Sequence, residues 1–224
     1  MELPSANAVC FGDIPTDIIG RILGHITAFK DVATVCLVSK RFHAASAEGS
    51  RHRRHLSLAG ALHWDVERLR NFIITTLQSS CLTLDMWGCT FVTATSLRII
   101  PDFVLRDLKK LCLWGCTNLM DQDIADLMIR TPKLTDLNLG GTRASVRTLR
   151  ACTMSCPKLR VLSLAFCRHL SESLAESPVN TKDECPFHAL ASKTELSSLN
   201  VVGVLLNGTS ARHLLEANVE TRRF

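Results

Sequence analysis

Apolar and polar residues alternate along this chain in short, recurring bursts. The segments CLTLDMWGC from Cys81, LKKLCLWGC from Leu108, LTDLNLGGT from Leu134, LRVLSLAFC from Leu159 and LSSLNVVGV from Leu196 share one spelling, and a weaker copy, RRHLSLAGA, begins at Arg53. Within each copy the central apolar residues sit two apart. Because side chains alternate across a strand, this spacing sends Leu111 and Leu113 to one face and Cys112 to the other. Each copy therefore predicts a short strand with one buried face.

The copies align on Leu56, Leu84, Leu111, Leu137, Leu162 and Leu199, at intervals of 28, 27, 26, 25 and then 37 residues. Between strands the pattern changes to helical spacing. In DQDIADLMIRTPKL, Ile124, Leu127 and Met128 share one helix face, Pro132 ends the helix and Leu134 opens the next strand unit. The long last interval contains SESLAESPVNTKDECPF, whose Ser, Pro, Asn and Asp content predicts an inserted surface loop near residues 171–187. The closing Cys89, Cys116, Thr142 and Cys167 fall where a small buried polar side chain can bond backbone amides of the turn. The L-x-x-L-x-L-x-x-N/C spelling, the Gly-Cys endings and CPKLRVLSL at 156–164 resemble the cysteine-containing subclass of leucine-rich repeats, over roughly residues 53–206. The resemblance implies an α/β solenoid, with parallel strands on a concave face and helices behind.

A different pattern precedes the repeats. In FGDIPTDIIGRILGHITAFKDVATVCLVSKRFHAAS, from Phe11 to Ser46, Ile18, Ile19, Ile22, Leu23 and Ile26 form one helical stripe launched just after Pro15. Phe29-Lys30-Asp31 interrupts it, and Asp31 is placed to cap a second helix carrying Val32, Val35, Cys36 and Val38. Two or three short helices bury little apolar area, so this module is expected to lean on a partner or on the repeats. The segment resembles an F-box. Ile14, Pro15 and Asp17 match the family's opening, and Val32, Val35, Cys36, Val38, Ser39, Lys40 and Phe42 match its ending; Ile14 stands for the usual leucine and Phe42 for the commoner tryptophan.

That resemblance implies a division into a tail (1–10), an F-box (11–50) and a repeat array (51–224). It implies that Ile14, Pro15, Ile18, Ile22, Leu23, Val32, Val35 and Val38 dock a Skp-type adaptor and, through it, a cullin. The repeats then hold a protein substrate, and the chain acts as the non-catalytic receptor of a Skp–cullin–F-box ubiquitin ligase. The alternative is a leucine-rich-repeat interaction scaffold working outside ubiquitin ligation. For the substrate surface the register itself is informative. It places Trp87 and Trp114 at equivalent outward positions on neighbouring strands, with Asp85, Cys112 and Asn138 in the adjoining column and Lys110 and Asp136 flanking it. Two side-by-side indoles beside polar groups have the composition of an interface hot spot; the competing reading has them covering the Gly88 and Gly115 turns.

Composition narrows the remaining classes. Hydrophobic residues make up 46% and charged residues 21% of the 224, an ordinary globular balance, and no apolar run approaches the length of a membrane span. The start MELPSANAVCFGD lacks the basic and apolar regions of a secretory signal, so an intracellular location, cytoplasm or nucleus, is expected and no membrane partner is. Ten cysteines then call for a reducing-compartment explanation, which their repeat positions supply. The net charge of +5 is densest at Arg51 to His55, which reads as a solvated connector; nucleic acid is not an expected partner. Nucleotide-binding, zinc-protease and serine-hydrolase motifs do not occur, and Cys167, His169, Cys185 and His188 lack a C-x-x-C companion, so neither catalysis, cofactor nor metal is expected. The last helix, about Ser210 to Val219, and the tail Glu220 to Phe224 carry no evident polar capping repeat.

Overall fold

Apolar side chains at three- and four-residue spacing dictate the first three helices. The computed structural model describes residues 14–50, 54–59, 65–76, 81–176, 185–216 and 220–222. Helix α1 (Thr16–Leu23) starts after Pro15, whose φ of −54° suits a helix entry, and Asp17 in its first turn faces the positive end of the dipole. Helices α2 (Phe29–Val38) and α3 (Lys40–Ser50) follow, and both α1 and α2 pack on α3. At the α1–α3 crossing the backbones nearly touch: a Cβ on Gly49 would lie 2.5 Å from the Gly20 carbonyl oxygen. Ile19, Leu23 and Ala45 form the small core there, with Ile14, Ile26, Val35 and Phe42 packed against it. Between α2 and α3, the Ser39 hydroxyl accepts the Phe42 N–H at 3.2 Å and opens the third helix.

Asp31 does not cap α2. The helix begins two residues earlier, with Ala28 at the N-cap and Asp31 inside the first turn. The reason lies in the neighbouring strand. Ala28 is extended because it pairs in parallel with Ser57, whose N–H also donates to the Thr27 carbonyl at 2.9 Å. The helical unit is therefore bonded directly to the edge of the sheet.

Seven three-residue strands make that sheet: β1 (His55–Ser57), β2 (Thr83–Asp85), β3 (Lys110–Cys112), β4 (Asp136–Asn138), β5 (Val161–Ser163), β6 (Ser198–Asn200) and β7 (Glu220–Arg222). They are parallel and stand in chain order. Leu56, Leu84, Leu111, Leu137, Leu162 and Leu199 pair in one continuous row, which is the alignment expected from the sequence. All six are buried, as are Leu58, Met86, Leu113, Leu139, Leu164 and Val201 two positions on. The seventh strand is an addition. Its central residue is Thr221, paired with Leu199, so the apolar spelling does not mark it.

Helices fill the intervals between strands: α4 (Val66–Thr76), α5 (Ala94–Ile99), α6 (Asp102–Asp107), α7 (Asp121–Arg130), α8 (Val146–Ser155), α9 (Arg168–Glu176), α10 (Pro186–Lys193) and α11 (Gly208–Glu216). Their apolar faces and the strand leucines build one continuous core. As expected, Ile124, Leu127 and Met128 of α7 are buried and Pro132 lies just past its end. At its two described ends the insertion departs from an open loop. Described residues at both its ends are helical, with Leu170 and Leu174 of α9 and Cys185, Phe187 and Leu190 around α10 buried; the remainder, 177–184, lies outside the described residues. Leu170 and Leu174, four apart, give a polar-looking segment an apolar face, and Pro186 supplies a helix start. Among the described residues no helix is long and apolar enough to cross a membrane.

Side chains stitch successive units together. The Asp121 carboxylate, at the start of α7, accepts the Ser145 N–H and hydroxyl, both at 2.8 Å, and the buried Thr148 hydroxyl at 2.6 Å. It thereby anchors the N-terminus of α8. Replacing Asp121 with alanine should lower the unfolding free energy by about 1.5–3 kcal/mol, read from urea denaturation, since three donors lose a charged acceptor. An unchanged midpoint would show that water replaces the carboxylate fully.

Candidate protein-interaction surfaces

The outward side chains of β2 to β5 line a groove of about 410 Å³ on the open strand face. Thr83 and Asp85, Lys110 and Cys112, Asp136 and Asn138, and Val161 and Ser163 enter it pairwise, with Trp87 just beyond β2. Six of the seven residues expected at a substrate surface thus lie together. The seventh, Trp114, does not line the groove. Val161, Ser163 and Thr83 were missed, although the same register contains them: Thr83 is the other outward residue of β2, and Val161 and Ser163 stand one strand beyond β4.

The two tryptophans differ because of what the next unit offers. Beside Trp114 the equivalent position is Gly140, and the indole packs directly against it: a Cβ there would come 2.0 Å from the ring. Trp114 also meets Phe166 edge to face, with centroids 6.1 Å apart at 82°. Beside Trp87 the equivalent position holds Trp114 itself, so no such bed exists and Trp87 remains 54% exposed. The expected pair of equally exposed indoles is corrected to one exposed ring and one packed ring. Phe166 has its own oddity. It takes φ 59° where the other described units have Gly88, Gly115, Gly141 and Gly203 at 65–71°.

Polar groups in the groove are held by local bonds. Asp85 Oδ1 accepts the Trp87 N–H at 3.0 Å, and Asn138 and Asn200 accept the Gly140 and Val202 N–H groups in the same way at 3.1 and 3.0 Å. Cys112 accepts the Trp114 N–H through sulfur, and burial with the nearby Asp85 charge pushes its thiol up to about 11. It stays neutral in ordinary buffers. Asp85 Oδ2 also takes the Ser57 hydroxyl at 3.0 Å, while Lys110 pairs with Asp136 at 3.3 Å.

Behind the strands a column of thiols faces the core. Cys89, Cys116 and Cys167 donate to the carbonyls of Leu58, Met86 and Leu139 at 3.3, 3.2 and 3.1 Å, in each case reaching back one unit. The expected turn amides are partners too: the Ala144 N–H donates to the Thr142 hydroxyl oxygen at 3.4 Å, and the Gly141 and Thr142 amides reach the Cys167 sulfur, while each thiol's own hydrogen serves a carbonyl that the preceding unit presents. Thr142 bonds the Leu139 carbonyl within its own unit at 2.6 Å. None of the eight cysteines whose side chains are described is in a disulfide. A separate cleft between α5, α6 and α7 is structural, because the Arg130 guanidinium there holds Asp102 at 2.8 Å and the Leu97 and Ile100 carbonyls at 2.9 and 2.7 Å.

The second surface is on the N-terminal helices. Pro15 is exposed, Ile18 and Ile22 are 43% and 56% exposed on one face of α1, and Val38 is 64% exposed at the end of α2. Leu37, which the family match did not single out, is 86% exposed. Leu23 departs from expectation: it is buried in the small core with Ile19 and Ala45. Ile14 and Val35 are half-buried against the same core, and the Val32 side chain lies outside the described residues.

No family model matches this sequence. Among solved structures the chain is similar to one in the yeast Rad7 and Elc1 complex, at 19% identity over 73% of this chain and 41% of that chain, with a TM-score of 0.49. It is also similar to the tropomodulin C-terminal domain of Caenorhabditis elegans, at 14% identity over 69% of this chain and 92% of that one, with a TM-score of 0.48. The chain thus spans less than half of the matched Rad7–Elc1 chain.

Proposed function

We propose that this chain is an F-box protein with cysteine-type leucine-rich repeats, the substrate receptor of a Skp–cullin–F-box ubiquitin ligase. Residues 11–50 form the F-box and the seven-stranded array is a repeat solenoid. The observation that carries the reading is the exposure of Pro15, Ile18, Ile22, Leu37 and Val38 on a small helical unit whose own core is already filled by Ile19, Leu23 and Ala45. Apolar side chains left exposed in this way suit an interface. The chain performs no chemistry in this reading. It acts by holding a target protein close to a ubiquitin-charged enzyme, which raises effective concentration.

Pro15→Ala combined with Ile22→Asp should reduce co-purification of a Skp-type adaptor at least about tenfold, because both positions are exposed and a buried carboxylate at the interface is costly. Circular dichroism should show an intact fold. Full adaptor recovery by a folded double variant would sink the ligase reading and leave the chain as an interaction scaffold.

A further inference from the structure

The groove across β2 to β5 differs in charge from the rest of the molecule. The chain carries +5 overall, yet the charged groove residues are Asp85, Lys110 and Asp136, and Lys110 is already paired with Asp136. Cys112 is held protonated beside them. What remains is the Asp85 carboxylate next to an exposed indole, Trp87, with the 40% exposed Val161 across the groove. Asp85 spends one oxygen on the Trp87 N–H and the other on the Ser57 hydroxyl, at 3.0 Å each, and it also hydrogen-bonds the neutral Cys112 thiol. A carboxylate has about four lone-pair sites, so it can still accept a cation's donors.

We propose that this groove binds an extended segment of a partner protein through an arginine, whose guanidinium stacks on Trp87 and donates to Asp85, with a neighbouring apolar side chain on Val161. Arginine fits better than lysine. Its planar fork stacks on an aromatic face and bonds a carboxylate in one pose, and it is more weakly hydrated than an ammonium. An acidic segment is repelled by Asp85, and a wholly apolar one covers that carboxylate without a counter-charge. The volume of about 410 Å³ suits a few side chains rather than a folded domain. This inference rests on the proposed function only in making the segment part of the protein to be recruited.

The test is selection of random heptapeptides displayed on phage against the immobilised full chain, followed by fluorescence anisotropy with the best peptide. Arginine next to an apolar residue should dominate the selected sequences. Asp85→Asn and Trp87→Ala should each weaken the peptide at least about tenfold, as should arginine to alanine in the peptide, with lysine intermediate. Asp85→Asn is expected to fold, because Asn138 and Asn200 already make the equivalent turn bond in their own units. Acidic consensus sequences, absence of a consensus, or wild-type affinity in both folded variants would overturn the proposal. Adaptor co-purification separates the two readings: in the wild-type chain, adaptor binding without a selected peptide sinks only the groove, and peptide binding without adaptor binding sinks only the ligase assignment.

Discussion

Leu137→Ala should cost about 2–5 kcal/mol of unfolding free energy, the usual range for emptying a buried leucine site. Leu137 is the central residue of β4, 2% exposed, and it pairs with Leu111 on one side and Leu162 on the other. Its side chain belongs to the continuous core that joins every unit, so the void cannot close without shifting neighbours that are themselves held in register. Asp136→Ala, one residue away, is the matched control. That carboxylate is on the solvent face, paired with an exposed Lys110, and such a pair is worth about 0–1 kcal/mol. Urea denaturation of the two variants should therefore separate them clearly. Equal midpoints would mean that the inward and outward assignments along this strand are reversed.

The register was legible because it depends on a two-residue alternation that leucine spells out six times. Side-chain packing between units was not, and Trp114 shows why. Whether an indole stands up or lies down depends on the residue at the same position one unit later, Gly140 beside Trp114 but Trp114 beside Trp87, a comparison across about 26 residues that no local pattern contains. The N-terminal stripe failed in a related way. Ile18, Ile19, Ile22 and Leu23 share a broad apolar face, but only the crossing with α3 at Gly20 and Gly49 decides that Ile19 and Leu23 turn inward and Ile18 and Ile22 outward. The insertion misled because Ser, Glu and Pro outnumber the two leucines that make α9 amphipathic. Strand β7 escaped because pairing with β6 positions it without a buried leucine of its own.

Raising the pH from 8 to 10 should destabilise the fold by several kcal/mol, and the buried thiols are the cause. Burial pushes Cys89 and Cys116 up to about 12 and Cys156 up to about 11, from an ordinary value of 9.0, and raises Cys152 and Cys167 as well. Above pH 9 the unfolded chain gives up these protons while the folded chain keeps them. The unfolded state then binds fewer protons than the native one, so stability falls as pH rises, from about 9 until the folded thiols ionise. Each such thiol contributes up to about 1.4 kcal/mol per pH unit in that window. The chain contains no tyrosine, so no phenol titrates beside the thiols in this range. Thermal melts across this range should show a steep fall in Tm, and the pH slope should be shallower for Cys89→Ala with Cys116→Ala by about two thiols' worth, whatever the variant's stability at pH 7. Should the slopes of the two proteins coincide, the thiols that bond back to Leu58 and Met86 are reached by water when folded, and the inter-unit column is looser than its 3.3 and 3.2 Å contacts imply.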